Sequence, residues 1–401
     1  MNPNQTVQPD TNASDGLPLG TAWPHVILIS LVFFTVFHAR MIIAPLLPEI
    51  EMELGVGHAE SGVLFLFISL GFSISLLGAG FVSSRIPHNR LITLSAILVG
   101  IFLIVSALSS GYWWLLGGLA GVGLSCGVYL PSGIASLTSF VRKQDWGKTL
   151  AIHQMAPNLA YVTAPIFAEL LSRLLNWRLA FGLFGIIALI LGAIHYRFGR
   201  GGDFKSQAVS RSALRSFFTN PALWMFIPLF SLAIGCNQGV FNVSTIYLVA
   251  ERGFTRIHSN TLISVSRACA LIFPLAAGWL ADRFGVKRIL LAIVGISGIS
   301  TLSFGWGPDG LVPASLFIQA FAGSCFFTVG FAALSRTTSS EHRSLAVSLS
   351  VPAGHLLGGG LAPALLSLLG EYGHFGTGIA LLGGVTIGGI FLVLGLRVTE
   401  N

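Results

Sequence analysis

The chain predicts an all-α, polytopic membrane protein: twelve transmembrane helices in two pseudo-symmetric six-helix bundles. Three observations carry this. Of 401 residues, 53% are hydrophobic and only 9% are charged, against about 25% charged in an ordinary soluble domain. Apolar segments near the roughly 20 residues needed to cross a bilayer recur along the whole chain, separated by short polar interruptions. Finally, Gly80, Arg85 and Arg90 in GFVSSRIPHNR stand at one constant offset from Gly278, Arg283 and Arg288 in GWLADRFGVKR. Both segments join the second and third helices of a half, as expected for a duplicated six-helix unit.

In chain order, the helices are expected at 24–48, 59–83, 90–109, 112–140, 147–171, 178–197, 223–250, 258–282, 287–306, 311–335, 343–370 and 375–397. None alternates in polarity over about ten residues as a β-barrel strand would. The 48 glycines fit helices that pack closely in lipid. Residues 1–22 are polar and carry Asp10 and Asp15, with neither a basic start nor an apolar core. They read as a disordered cytoplasmic tail and not as a signal peptide. The N-terminal bundle follows at 23–197, a cytoplasmic linker loop at 198–222, and the C-terminal bundle with its short cytoplasmic tail at 223–401.

Orientation follows from the basic residues of the loops. With the N-terminus cytoplasmic, sixteen of the 22 Lys and Arg fall on the cytoplasmic side and four, Arg173, Arg178, Arg252 and Arg256, on the other. Both termini are therefore expected in the cytoplasm, with the protein multi-pass in the cytoplasmic (inner) membrane of a prokaryotic cell. The net charge of +7 is spread among short loops, which argues against nucleic acid as a partner.

Several motifs reduce to packing. Cys126, Cys236, Cys269 and Cys325 fall singly on four helices, so neither zinc nor a disulfide is expected. Trp113, Trp114, Trp146 and Trp177 read as interfacial anchors. Gly295-Ile296-Ser297-Gly298 resembles the nucleophile motif of intramembrane serine proteases, without an evident His partner. No phosphate-binding Gly-x4-Gly-Lys motif is present, so direct ATP drive is not expected. The chain is expected to need no cofactor or metal and to perform no catalysis.

The loop from Gly278 to Arg288 resembles the signature of the major facilitator superfamily, as do the twelve helices, the paired halves and the long central loop. The resemblance implies a secondary transporter with a substrate site between the halves. It also implies a conformational-gate role for Gly278, Asp282, Arg283 and Arg288. The first-half copy departs from the pattern, with Ser84 in place of the Asp and Pro87 in place of a Gly. On the fifth helix, HQMAPNLAY keeps only the proline of the glycine-rich stretch that proton-coupled drug exporters of the superfamily carry.

The functional argument rests on Arg40 and Arg267, which lie deep in apolar stretches. Each is about nine residues from the outer end of its helix, or some 14 Å at about 1.5 Å per residue. None of the fifteen Asp and Glu lies deep enough to neutralise them: Glu49, Glu51, Glu53 and Glu60 fall at the first outer loop, and the others at helix ends or in the tails. An unpaired buried charge is costly, and a guanidinium fork suits a carboxylate, phosphate or sulfonate. The alternative for each arginine is snorkelling or pairing with backbone carbonyls.

His38, His153 and His355 lie within helices and are the proton-coupling candidates. Each also has a plain packing reading. Asn237, Gln238 and Asn242 on the seventh helix, Tyr129 on the fourth, Asn158 and Tyr161 on the fifth, and His355 on the eleventh complete the expected substrate site. For these residues polar helix-to-helix contact is the competing role.

The expected function is alternating-access transport of a small organic anion, a monocarboxylate such as lactate or pyruvate, with proton symport by a monomer. An arginine on the eighth helix is similar in position to those of the monocarboxylate and oxalate branches. The alternatives are efflux of amphipathic compounds or drugs, transport of phosphorylated or sulfonated small molecules, and a non-transporting membrane sensor or enzyme.

Overall fold

The computed structural model describes residues 16–174, 176–206, 221–337 and 340–396. Among the described residues the chain makes twelve helical passes: α1 (Leu19–Leu54), α2 (His58–Ser83), α3 (His88–Ala107), α4 (Tyr112–Phe140), α5 (Trp146–Leu174), α6 (Trp177–Phe198), α7 (Trp224–Ala250), α8 (Arg256–Ala270 with Phe273–Phe284), α9 (Val286–Trp306), α10 (Asp309–Thr337), α11 (Ala346–Glu371) and α12 (Phe375–Gly395). Ten are long and apolar enough to cross a membrane, and bent α8 makes an eleventh. At 29 residues α5 is also long enough. It carries Lys148, His153, Gln154, Asn158 and Glu169, a composition suited to a pass that borders a polar cavity.

Prolines explain the broken passes. A proline cannot donate to the carbonyl four residues back, and its ring crowds that carbonyl. Pro45 acts on Met41, where α1 breaks at Ile42, and Pro131 acts on Gly127, where α4 breaks at Val128. Pro274 acts on Ala270, where α8 bends by 40°. Passes α7 and α11 instead contain π-helical turns, Gly235–Gly239 and His355–Leu361.

The two halves repeat one packing pattern: α3 lies against α6 as α9 lies against α12. At the second contact a Cβ on Gly305 would stand 2.3 Å from the Gly376 carbonyl oxygen, so only glycine permits the approach. The halves meet along α2 with α11, α5 with α8, and the outer parts of α1 and α7.

The ends of α1 differ from expectation. It starts at Leu19, inside the expected tail 1–22, because Asp145 Oδ2 accepts from Leu19 N at 3.1 Å and Leu17 N donates to Phe140 O at 2.7 Å. It runs on through the acidic stretch to Gly55, whose φ of +63° stops it. That stretch is a helical rim and not a loop, since each carboxylate is engaged. Glu49 pairs with Arg256, Glu51 holds His58 and Ser61, and Glu53 holds Arg178 and Trp177 Nε1. Trp177 is thereby buried and is not an interfacial anchor. The longer α1 also corrects the matched depths: Arg40 is 14 residues before Leu54 and Arg267 is 11 after Arg256, about 21 and 17 Å along their helices.

The start of the expected linker 198–222 is pinned against the α2–α3 turn. Gly202 O and Phe204 O accept from Asn89 N and His88 N at 3.0 and 3.3 Å. The rest of that linker, 207–220 with Arg211 and Arg215, lies outside the described residues, as do 1–15 of the expected tail and the chain end from Arg397. Lys287 Nζ donates to Leu394 O and Leu396 O, both at 2.8 Å, satisfying free carbonyls at the end of α12.

Gly305→Val is expected to destabilise the protein by about 1–3 kcal/mol through overpacking at α9–α12. Thermal unfolding in detergent checks this, and an unchanged midpoint counts against the close approach.

Candidate functional site

Between the halves lies a cavity of about 420 Å³, and Arg40 and Arg267 both line it. Among the described residues no Asp or Glu borders it. Its walls are aromatic, with Phe33, Phe37, Phe72, Tyr161, Phe327 and Phe331, and its polar groups include Gln154, Asn158, Asn237, Gln238, Ser324, Thr328 and His355. It extends from the arginines toward the face of the bundle that holds Leu19 and Gly395, where the lining residues Gln154 and Thr328 are exposed.

Helix breaks position both arginines. Each sits in the last turn of a segment that a proline interrupts, where backbone carbonyls lack helical partners and favour positive charge. One freed carbonyl, Ala270 O, accepts from Ser324 Oγ at 3.3 Å. The guanidinium of Arg40 lies over Phe72, 4.0 Å from the ring centroid, and that of Arg267 lies 5.0 Å from Tyr161 and 5.3 Å from Phe241. These aromatic faces compensate part of the charge.

The two guanidinium groups differ in what remains free. Both terminal nitrogens of Arg267 donate to Asn237: Nη1 to the side-chain oxygen and Nη2 to the backbone oxygen at 2.9 Å. Nε and Nη2 of Arg40 are buried without a partner among the described residues, as is Nε of Arg267. The offset that carries Gly80 to Gly278 also carries Arg40 to Gln238, so the repeat places a charge in one half and an amide in the other, both lining the cavity.

The remaining expected site residues divide. Asn158 and Tyr161 line the cavity from α5, Asn158 Nδ2 being turned to Gln154 O at 3.2 Å. His355 lines it from the π-helical turn of α11, and its Nδ1 donates to Val351 O at 2.9 Å, which leaves Nε2 as the acceptor. Tyr129 and Asn242 do not line it. The Tyr129 hydroxyl donates to Ile29 O at 2.6 Å and meets His153 Nε2 at 3.2 Å inside the first half. Asn242 Nδ2 donates to Gly359 O at 3.2 Å, tying α7 to α11. That contact depends on close backbones, since a Cβ on Gly358 would stand 2.2 Å from Ser231 O. Of the other proton-coupling candidates, His153 stacks on Phe33 at 4.4 Å and His38 on Phe184 at 4.2 Å, and neither borders the cavity.

The loop motif sits at the terminal face. Asp282 pairs with Arg336 at 3.5 Å, joining the ends of α8 and α10. Arg283 lies 5.4 Å from the Trp279 ring, as Arg85 lies 3.7 Å from Phe81 in the first-half copy. Gly278 faces Thr328 across the same pair of passes, while Arg288 opens α9 beside the capping Lys287.

At the opposite face the halves are locked together. Arg256 at the start of α8 pairs with Glu49 on α1 at 2.9 Å and with Glu169 on α5 at 3.3 Å. Glu371 at the end of α11 accepts from Ala59 N at the start of α2, at 3.1 Å. The cavity is thus shut on this side. Sequence reading missed this lock and the aromatic walls. The spacing of Phe33, Phe37 and Arg40 along one face of α1, and of Phe327 and Phe331 on α10, was the available signal.

The family model described as Major Facilitator Superfamily matches residues 29–267 and 259–401. The membrane sensor protein UhpC of Escherichia coli is 22% identical over 340 residues, covering 77% of this chain and 74% of its own. A probable 4-methylmuconolactone transporter of Cupriavidus pinatubonensis is 25% identical over 305 residues, covering 72% and 68%. The crystal structure of a D-xylose–proton symporter superposes with a TM-score of 0.77 at 15% identity, over 94% of this chain and 97% of that one.

Neutralising the lock tests its part in holding the cavity shut. With spin labels at Met52→Cys and His258→Cys in a Cys269→Ser background, Arg256→Gln is expected to lengthen and broaden the distance distribution measured by electron–electron resonance. An unchanged distribution would show that the lock does not hold that face closed.

Proposed function

The chain belongs to the Major Facilitator Superfamily, and within it we propose a secondary transporter that moves a small organic anion, with a carboxylate as the charged group, by alternating access. One observation carries this reading: two arginines border a single cavity between the halves, and no described carboxylate borders it. A buried guanidinium without a counter-ion is unfavourable, and an anionic cargo supplies two parallel charge-assisted hydrogen bonds to it. An organic cation would meet two positive charges and no counter-charge.

Alternating access fits the geometry. The arginines lie between a locked face and a face toward which the cavity extends, so rocking of the halves about them would expose them to each side in turn. The balance of basic residues supports the terminal face as cytoplasmic. Proton coupling falls to His355, the histidine candidate that borders the cavity, whose Nε2 can take a proton beside the anion.

Thermal-shift measurements on the purified protein are expected to show stabilisation by small carboxylates and not by cationic dyes. Arg40→Gln is expected to weaken that binding by about 2–5 kcal/mol, as when one partner of a buried charge pair is truncated. Uptake into liposomes should rise with an inward pH gradient, and His355→Gln should remove the response to the gradient. The anion reading fails if no anion binds or if Arg40→Gln and Arg267→Gln transport normally. Proton coupling through His355 fails if its variant keeps the full gradient response.

A further inference from the structure

Resting on the anion reading above, we infer that the cargo is a monoanion seated on Arg40 whose body is a ring or a similarly broad apolar group, and that Asn237 holds Arg267 in reserve. The charge of the cargo follows from the hydrogen bonds. Both terminal nitrogens of Arg267 donate to Asn237, which leaves its Nε as a single unpartnered donor, whereas the adjacent Nε and Nη2 of Arg40 both lack a partner among the described residues. The one open pair of donors, on Arg40, matches one carboxylate. A phosphate ester carrying two charges would leave one of them without a free fork.

The body of the cargo follows from the walls. Phe33, Phe37, Phe72, Phe327, Phe331 and Tyr161 line the cavity, with the Phe72 and Phe37 rings 4.0 and 5.8 Å from the Arg40 guanidinium. Several polar groups among them are already committed: Asn158 Nδ2 to Gln154 O, Ser324 Oγ to Ala270 O and Phe321 O, and His355 Nδ1 to Val351 O. A sugar-like body would have to match several hydroxyls to the remaining polar groups, such as Gln238, Thr328 and His355 Nε2, while lying against aromatic rings, at a cost for each hydroxyl left unpaired. A ring presents apolar faces and edges that stack on such walls. Size points the same way. A cavity of about 420 Å³ falls within the roughly 300–1,000 Å³ of pockets that enclose drug-sized ligands. A three-carbon acid such as lactate or pyruvate would leave much of the aromatic wall facing water.

Holding Arg267 on Asn237 also has a use. The side-chain and backbone oxygens of Asn237 accept from Arg267 before cargo arrives; they leave its charge in place and replace part of the hydration it loses on burial. Asn237 lies in the π-helical turn of α7, and removal of its side chain frees Nη1 of Arg267, beside the unpartnered Nε, while Nη2 keeps the backbone oxygen.

Titration calorimetry on the full-length protein, with benzoate, cyclohexanecarboxylate, lactate, glucose 6-phosphate and terephthalate as probes, tests these points. Benzoate and cyclohexanecarboxylate are expected to bind at least tenfold more tightly than lactate, and glucose 6-phosphate more weakly than either. Phe37→Ala and Phe331→Ala should each narrow the ratio of benzoate to lactate affinity. Should those variants fail to fold, the ranking in the unaltered protein decides alone. Asn237→Ala should gain at least fivefold affinity for terephthalate, a dianion, relative to benzoate. If lactate matches benzoate, or glucose 6-phosphate surpasses it, the ring-bearing monoanion is wrong while the anion reading stands. If no probe binds, both fall. Unchanged selectivity for the dianion in Asn237→Ala overturns the reserve role of Arg267.

Discussion

Positive charge placed in an apolar interior without a carboxylate is the constraint on which this structure turns. Desolvation opposes two buried guanidinium groups, and the fold supplies three partial compensations. Pro45 and Pro274 break their helices just beyond the arginines, which leaves carbonyl-rich segment ends beside them. Aromatic rings stand against both guanidinium planes, and Asn237 occupies one of the two forks. The compensation goes further for Arg267, which keeps one unpartnered nitrogen, than for Arg40, which keeps two.

Several of the described carboxylates act elsewhere, at the ends of helices. Asp145 caps α1, Glu371 caps α2 and Glu251 caps α12 through Gly376 N at 2.9 Å. Glu49 and Glu169 converge on Arg256. Negative charge at these positions satisfies free backbone N–H groups or closes one face of the bundle, and it stays out of the cavity. The lock and the site share their elements. Arg256 and Arg267 lie about three turns apart on one straight segment of α8, while Glu49 and Arg40 lie on the two sides of the α1 break. Movement of either segment therefore reaches both the cavity and the closed face.

Much of the site was legible because charge in an apolar run is conspicuous. Arg40, Arg267, Asn237, Gln238, Asn158, Tyr161 and His355 all border the cavity. Tyr129 and Asn242 look equivalent on paper, yet one turns to a backbone carbonyl of α1 and the other to one of α11. Helical periodicity tells which residues share a face. It does not tell whether that face looks onto a cavity or a neighbouring helix. The acidic rim was misread for a related reason: a run of Glu reads as solvated loop unless its partners, which lie as far off as Arg178 and Arg256, are known to be adjacent.

By itself the sequence determined the all-helical membrane fold, the duplicated halves and the presence of two arginines inside apolar helices, because apolar length, a repeated loop and charge within an apolar run are properties of the chain alone. Only the tertiary structure decided that the two arginines face one cavity, that Asn237 engages both terminal nitrogens of Arg267 and none of Arg40, and that Arg256 joins the halves at one face. Those outcomes depend on which residues meet across helices far apart in the chain, and close packing, set by glycine contacts and proline breaks, selects those meetings.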